Sequence, residues 1–207
     1  MKAINDLVVC VATETEGALL RPHVPVVCTG VGAVNAAYAL TRFLNQSQVE
    51  GIIACGIAGA YPGLGIAIGS VVCAESECYG DLGADSPSRF LDMQALGFPV
   101  VQGASPIYNL LPIQIFPASQ RVPFVTMNTC TGNDDDARVI EARTGGGVES
   151  MEGAAIAHVA ALAGIPVGEI RGISNLVGNR DRSSWHVKEA ALAAQEALLT
   201  WIAARRA

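Results

Sequence analysis

The sequence lacks clusters of basic residues and long apolar runs. Its 207 residues include 13 Lys and Arg against 19 Asp and Glu, which gives a formal net charge of −6. Nucleic-acid-binding domains gather positive charge on one face, so nucleic acid is not expected as a partner. Apolar runs such as Leu7–Ala12 and Val24–Cys28 fall far short of the about 20 residues that span a bilayer. The sequence therefore predicts neither nucleic-acid binding nor membrane insertion.

Signals for export and for metal binding are missing as well. Asn5 and Asp6 interrupt any apolar core of a signal peptide, which favours the cytoplasm. The six cysteines contain no C-x-x-C pair and accompany no histidine cluster, so we expect no metal site. Four of them lie in apolar runs, and we interpret them as buried thiols in a reducing compartment.

Short apolar runs alternate with alanine-rich stretches, and 51% of the residues are hydrophobic. This alternation is typical of an α/β fold in one domain, here spanning residues 1–207. The predicted strands are Leu7–Thr13, Val24–Thr29, Gly51–Cys55, Ser70–Tyr79, Arg121–Met127 and Gly168–Ile173. The predicted helices are Ala33–Leu44, Asp134–Thr144, Glu152–Ala163 and Ser184–Ala204, the last capped by Asp181 or Ser183.

Between Gly80 and Pro123 the alternation breaks down into Gly, Pro, Ser and Asp, with six prolines from Pro87 onward. A long irregular segment in a compact domain is usually functional. We therefore interpret residues 86–123 as a pocket wall or a subunit contact.

Two glycine-rich segments follow predicted strands. Thr29–Gly32 is an incomplete dinucleotide-binding motif, because Asn35 takes the place of its third glycine and no acidic residue ends the next strand. A tight turn explains it better, and we expect no cofactor. Gly56–Pro62 is either a plain turn or a crevice whose backbone amides face a ligand.

Polar side chains recur where predicted strands end or helices begin, which is where ligand sites form in α/β folds. They are Glu14 and Glu16 after the first strand, Glu152 at a helix start, and Asn175 after the last strand. Each has a structural alternative, because carboxylates stabilise helix N-termini and Asn commonly caps turns.

Three segments, GIAGAYP, VESMEGAAIAHV and RGISNLVGNRD, resemble the nucleoside phosphorylase and nucleosidase superfamily, and most closely the futalosine hydrolases of menaquinone biosynthesis. The resemblance covers nearly the whole chain and is weakest over residues 86–123. It implies a three-layer α/β/α sandwich with a central mixed sheet and a homodimer or higher homo-oligomer. It also implies that Ile57, Ala58 and Gly59 contact the substrate.

The resemblance implies roles for three further residues. Met151 would lie beneath the ribose, and Glu152 would bind the 2′- and 3′-hydroxyls. Adenine-releasing relatives carry Asp at the position of Asn175, where the acid protonates N7. An Asn amide instead donates to N7 and to a 6-oxo group, which predicts hypoxanthine or guanine as the leaving base.

The first loop predicts the nucleophile. Phosphorylases that the chain resembles carry a Gly-Asp-Pro-x-Arg loop there, and an Arg and a Ser that fall at Ala54 and Ile57 of this sequence. The loop here has two glutamates, and carboxylates repel phosphate and can deprotonate water. By resemblance we align Glu16 with the water-activating glutamate, with Glu14 as the alternative.

The substrate that the resemblance implies is futalosine, hydrolysed to hypoxanthine and dehypoxanthinylfutalosine, and we expect no cofactor. The alternatives are a 5′-methylthioadenosine or S-adenosylhomocysteine nucleosidase, a purine nucleoside phosphorylase, and a nucleoside-binding protein without turnover. The histidines are assigned no role, and His158 is interpreted as a core residue. Trp185 and the loop Asn179–Arg182 either close over the pocket or form plain surface, and Asp181 is a second candidate for assisting the base.

Overall fold

The computed structural model describes residues 6–206 and, of Arg206, the backbone alone. Within that range the strands are β1 (Leu7–Val11), β2 (Val26–Cys28), β3 (Gly51–Ala60), β4 (Val71–Tyr79), β5 (Gly83–Asp85), β6 (Phe90–Asp92), β7 (Leu110–Pro112), β8 (Arg121–Thr126), β9 (Val148–Ser150) and β10 (Val167–Leu176). The helices are α1 (Glu14–Gly17), α2 (Ala33–Leu44), α3 (Met93–Leu96), α4 (Asp134–Thr144), α5 (Gly153–Ala163) and α6 (Val187–Arg206).

Eight strands form one mixed sheet centred on β3, and β5 pairs with β6 separately. β3 is parallel to β1 on one edge and to β10 on the other. Near its end, β3 also pairs antiparallel with β9, and β9 continues through β8 and β4 back to β10. The strands β3, β9, β8, β4 and β10 therefore form a closed ring, and this closure brings the ends of β3, β9 and β10 together.

Helices cover the sheet. α2 and α5 pack on one face over a core that includes Leu40, Ile52 and Ile156. α6 packs on the opposite face, where Leu198 and Ile202 contact the residues of β1 and β10. This arrangement confirms the predicted α/β class with a mixed sheet, and the closure of the sheet is a feature that the sequence did not indicate.

The helix bounds follow local signals closely. α2 and α4 have the predicted bounds, and Gly164 ends α5 in the left-handed conformation (φ 67°) that glycine tolerates best. Glu152 is the N-cap of α5 rather than its first residue. The predicted cap of the last helix is wrong: Asp181 caps a short 3-10 turn, accepting from Ser183 N at 3.0 Å, and α6 begins only at Val187.

For the second glycine-rich segment, the plain-turn alternative and the predicted strand end at Cys55 are wrong. β3 does not end at Cys55 but continues to Ala60, because β10 pairs with it along its whole length. The glycines serve close approach instead of a turn. A Cβ atom at Gly56 would lie 2.4 Å from Glu16 Oε1 and 2.7 Å from Arg171 Nη1.

The proline-rich segment is only partly irregular. Residues 86–123 contain β6, α3, β7 and the start of β8. Val100 and Ile107 of this segment pack on the core beside α5. None of its residues lines the main cavity described below, but Phe90, Asp92 and Asn109 line a separate, smaller pocket. The interpretation of this segment as a pocket wall or a subunit contact stays a prediction.

The cysteines behave as predicted. Cys10, Cys55, Cys73 and Cys78 are buried, and all six cysteines are free thiols. No helix within residues 6–206 has the length and apolar character needed to cross a membrane. Asn5, on which the prediction against export partly rests, lies outside the described residues.

Candidate active site

A cavity of about 300 Å³ opens where the first loop, the ends of β3 and β10 and the β9–α5 junction meet. All seven site residues predicted from the sequence line it, namely Glu16, Ile57, Ala58, Gly59, Met151, Glu152 and Asn175. They come from segments up to 159 positions apart, so the pairing of β3 with β1, β9 and β10 brings them together.

Three hydrogen bonds hold the Glu16 side chain in place. Glu16 is buried, with 6% of its surface exposed. Oε2 accepts hydrogen bonds from Thr13 N at 2.9 Å and from Thr13 Oγ1 at 2.8 Å, and Oε1 accepts from Ile57 N at 3.0 Å. The carboxylate is therefore fixed between the first loop and β3, at the edge of the cavity.

Glu14 lies two residues earlier but points elsewhere. Its side chain is exposed and forms an ion pair with Arg21. The hydrogen bond from Arg21 lowers the pKa of Glu14. Glu14 does not line the cavity, so of the two glutamates in this loop the geometry favours Glu16 as the residue that faces a substrate.

Glu152 lies across the cavity, at the N-terminus of α5, and is 5% exposed. Oε1 accepts from Gly32 N at 2.9 Å, and Oε2 lies 3.8 Å from Arg171 Nη2. Burial raises the pKa of Glu152 above its ordinary value, although Arg171 and the Gly32 amide act in the opposite direction. In the first glycine-rich turn, Thr29–Gly32, the amide of Gly32 thus binds the Glu152 carboxylate of the protein itself. Gly32 has φ 95°, in the region of positive φ that favours glycine.

Asn175 lines the cavity beside Gly59, its partner in the sheet. Its Oδ1 accepts from Ser174 Oγ at 2.7 Å, and Nδ2 donates to Leu176 O at 2.9 Å. Nδ2 has a second N–H, which remains available to a ligand. A Cβ at Gly59 would lie 3.1 Å from Nδ2, so the absence of a side chain there leaves room for a flat group against the amide.

Arg171 is a site residue that sequence reasoning missed. It is 2% exposed within β10, and Nε donates to Glu169 Oε1 at 2.7 Å. Burial lowers the pKa of Arg171, but the carboxylates of Glu169, Glu152 and Glu16 outweigh this effect and raise it. The charge of the guanidinium therefore stabilises the carboxylates of Glu16 and Glu152. The available signal was two charged residues, Glu169 and Arg171, at alternate positions of an otherwise apolar strand.

Two buried carboxyl groups lie beneath this cluster. Glu77 Oε2 and Glu169 Oε2 have no hydrogen-bond donor, and both lie within 2.6 Å of the place where Gly153 would carry a Cβ atom. Burial, followed by the Glu169 charge, raises the pKa of Glu77 well above its ordinary value. The protonated form of Glu77 is therefore favoured in this buried position.

Glu149 is a third carboxylate of the cavity wall that the sequence did not reveal. Glu149 lies in β9, a strand that was not predicted, and precedes Met151 by two positions in the sequence. Glu149 is 7% exposed, and Tyr61 OH donates to its Oε2 at 2.6 Å.

The loop that follows β10 forms part of the cavity wall. Arg180 and Trp185 line the cavity, and the Arg180 guanidinium lies 4.9 Å from the centre of the Trp185 ring. This placement favours the interpretation in which the loop covers the pocket. Asp181 does not line the cavity. His158 is held by Tyr79 OH at 3.2 Å and Val100 O at 2.8 Å, which fits its interpretation as a structural residue.

Fold and cavity together match a known class of protein. The family model described as "Phosphorylase superfamily" matches residues 13–203, and the chain belongs to that superfamily. Solved structures agree with this fold. A 5′-methylthioadenosine/S-adenosylhomocysteine nucleosidase from Streptococcus pneumoniae superposes with a TM-score of 0.80 at 22% identity, covering 95% of this chain and 98% of that one. The corresponding Helicobacter pylori enzyme gives 0.81 at 14% identity, with 98% and 100% covered. These neighbours confirm the predicted nucleoside phosphorylase-like fold.

Curated relatives define the family more narrowly. The futalosine hydrolase of Thermus thermophilus is 33% identical over 78% of this chain and 73% of its own length. Those of Acidothermus cellulolyticus and Streptomyces coelicolor are 36% and 31% identical, covering 78% and 82% of this chain and 68% and 74% of their own. Within the superfamily, the chain belongs to the futalosine hydrolase family, as the motifs predicted.

Proposed function

We propose that the protein hydrolyses the N-glycosidic bond of futalosine and releases hypoxanthine and dehypoxanthinylfutalosine, a step of menaquinone biosynthesis. The names of the three relatives support this substrate. The observation that carries the reaction type is the placement of two buried carboxylates, Glu16 and Glu152, on one cavity with Arg171 behind them.

The sugar is assigned to the β9–α5 junction. Glu152 accepts hydrogen bonds from the 2′- and 3′-hydroxyls, while the Met151 thioether provides an apolar surface beneath the ribose. The negative charge of Glu152 also stabilises the positive charge that develops on the ribosyl ring in the transition state. Binding and rate enhancement thus share one carboxylate.

The base is assigned to Asn175. The one N–H of its amide that the protein leaves free donates a hydrogen bond shared between N7 and the 6-oxo oxygen, and it stabilises the purine as it leaves with the electron pair of the C1′–N9 bond. Adenine presents an amino group where this donor needs an acceptor, so the amide favours a 6-oxopurine.

The nucleophile is assigned to water held by Glu16. The water oxygen forms the new bond to C1′, and the carboxylate accepts the proton that water loses. The departing base anion takes a proton from solvent and Glu16 releases the proton it accepted to solvent, so the net reaction consumes one water and regenerates the carboxylate. Phosphate is disfavoured because Glu16, Glu149 and Glu152 all line the cavity, and Arg180 is the only Lys or Arg among its described lining residues.

The test is base release, measured by chromatography, from futalosine, inosine and 5′-methylthioadenosine, each with and without phosphate. We expect hypoxanthine from futalosine at a rate that phosphate does not change. Phosphate-dependent release would indicate a phosphorylase, and preferred release of adenine would indicate the methylthioadenosine type of nucleosidase. Tight binding without release of any base would indicate a nucleoside-binding protein.

We further propose that the protein acts in the cytoplasm as a homodimer or larger homo-oligomer. Exposed apolar side chains on α2 support an interface: Val34 is 81% exposed and Tyr38 63%. Light scattering coupled to size exclusion measures the mass directly, and a monomer would contradict the proposal.

A further inference from the structure

In the mechanism above, Glu149 takes no part in binding the nucleoside or in breaking its bond, although this residue lines the cavity and is 7% exposed. A carboxylate in a ligand cavity costs desolvation free energy unless donors compensate it. Three donors from the protein do so. Thr131 N donates to Oε1 at 2.8 Å, and both Tyr61 OH (2.6 Å) and Thr131 Oγ1 (2.5 Å) donate to Oε2.

The hydrogen bonds leave Oε1 with spare capacity. A carboxylate offers about four acceptor positions, two on each oxygen. Oε2 has two donors and is saturated, whereas Oε1 has one donor, Thr131 N. Burial and the neighbouring charge of Glu149 raise the pKa of Tyr61, so this phenol stays protonated and donates rather than accepts. Glu149 can therefore accept one further hydrogen bond, and only at Oε1.

The sheet fixes the direction of Glu149 relative to Asn175. Gly59 pairs with Glu149 of β9 on one side and with Asn175 of β10 on the other. Directly paired residues of regular neighbouring strands project from the same face of a sheet. The register of β10 on β3 shifts between Ile173 and Asn175, but Gly59, Glu149 and Asn175 all line the same cavity. The acceptor of Glu149 and the donor of Asn175 therefore flank the bare surface of Gly59, where a flat ring can lie.

This order matches the edge of a 6-oxopurine. Around such a base, N7 and O6 accept hydrogen bonds and the adjacent N1 carries a hydrogen that donates. Asn175 donates on the N7 and O6 side, which leaves the N1 hydrogen directed towards the opposite flank. We propose that Glu149 is a second specificity-determining residue, which accepts the N1–H of the 6-oxopurine at Oε1. This role of Glu149 rests on the proposed function, because both assume that Asn175 orients the base.

Glu149 also excludes adenine. The N1 of adenine has no hydrogen and carries a lone pair, so it would face an acceptor oxygen. Asn175 and Glu149 thus reject adenine independently, one at the 6-position and one at N1. Discrimination built from a donor and an acceptor exceeds what pocket shape alone provides.

The test measures binding of free bases, which does not require turnover. Dissociation constants for hypoxanthine, 1-methylhypoxanthine and adenine are determined by calorimetry for the wild type, for Glu149→Gln and for the exposed control Glu189→Gln. We expect the wild type and the control to bind hypoxanthine about 10- to 100-fold more tightly than 1-methylhypoxanthine, which cannot donate from N1. Glu149→Gln keeps the side-chain volume but removes the charge, so this ratio should fall about tenfold.

Several outcomes would overturn the role of Glu149. A ratio in Glu149→Gln within twofold of the wild type would mean that shape alone excludes the methyl group. Wild-type binding of 1-methylhypoxanthine within threefold of hypoxanthine would reject the assignment even if the variant failed to fold. A different result would overturn the proposed function but support Glu149 as the N1 acceptor. In that case the wild type would not turn over futalosine, yet it would prefer hypoxanthine to 1-methylhypoxanthine as expected, and Glu149→Gln would lose this preference.

Discussion

Replacing Glu16 by Gln tests the assignment of the water-activating residue most directly. The variant retains the shape of the side chain and removes its capacity to accept a proton. A general base contributes typically 10²- to 10⁴-fold to a rate, which corresponds to about 3 to 5 kcal/mol of transition-state free energy. We therefore expect the turnover number to fall by about that factor.

The structure indicates that the variant folds. Of the three hydrogen bonds to Glu16, the amide oxygen can keep the bond from Ile57 N, and the new NH₂ can donate to Thr13 Oγ1. Thr13 N then loses its acceptor. Leaving one such donor unpaired costs about 1 to 3 kcal/mol, which is smaller than the about 5 to 15 kcal/mol of a typical domain.

Single-turnover release of hypoxanthine from futalosine measures the chemical step, and calorimetry measures nucleoside binding. We expect binding to stay within a few-fold of the wild type, because water activation acts in the transition state more than in the ground state. The matched control is Glu14→Gln in the same loop, where the side chain is exposed, and it should leave turnover unchanged. Turnover of Glu16→Gln above a tenth of the wild-type value, or loss of turnover in the control instead, would refute the assignment.

Three further predictions concern polar groups of the cavity and the core. Glu152→Gln should lower turnover by about 10²-fold or more, because the neutral amide cannot stabilise the ribosyl cation; near-normal kinetics in a folded variant would remove Glu152 from the site. Asn175→Asp should slow hypoxanthine release by about 10²-fold, since an acceptor then faces O6, and comparison of futalosine with its 6-amino analogue gives the change in preference. Glu77→Gln should lessen the loss of stability with rising pH. The pKa of Glu77 is raised in the folded state, so the wild type loses this contribution as pH rises from about 4.5 towards the folded pKa. Urea unfolding between pH 5 and 8 measures this, and parallel pH dependences of the two proteins would show that Glu77 carries no proton.

Much of the secondary structure follows from the sequence. α2 and α4 have the predicted bounds because their signals are local: an apolar stripe, an Asn cap at residue 133 that accepts from Asp136 N, and a glycine after the last turn at residue 145. The strands that form the centre of the sheet were found from short apolar runs. β9 was missed because its three residues carry no periodic signal, and β3 was shortened because its glycines resemble a turn.

The sequence by itself also determined which residue types the site contains. Motifs placed Met151, Glu152 and Asn175 at strand ends and helix starts, and the loop after β1 supplied two glutamates. Motifs are short, so they specify residues within one segment. They carry no information on which of two neighbouring side chains turns inward.

Tertiary structure decided between such alternatives. Glu16 faces the cavity and Glu14 faces solvent because Ile57 N of β3 reaches the first of these carboxylates, a contact across 41 positions. Arg171 and Glu149 belong to the site only because β10 and β9 pair with β3 on opposite edges. The raised pKa of Glu77 likewise comes from burial and from the charge of Glu169, 92 positions away in the chain. Burial and charge proximity are properties of the assembled sheet, since they arise from distances that no local pattern encodes.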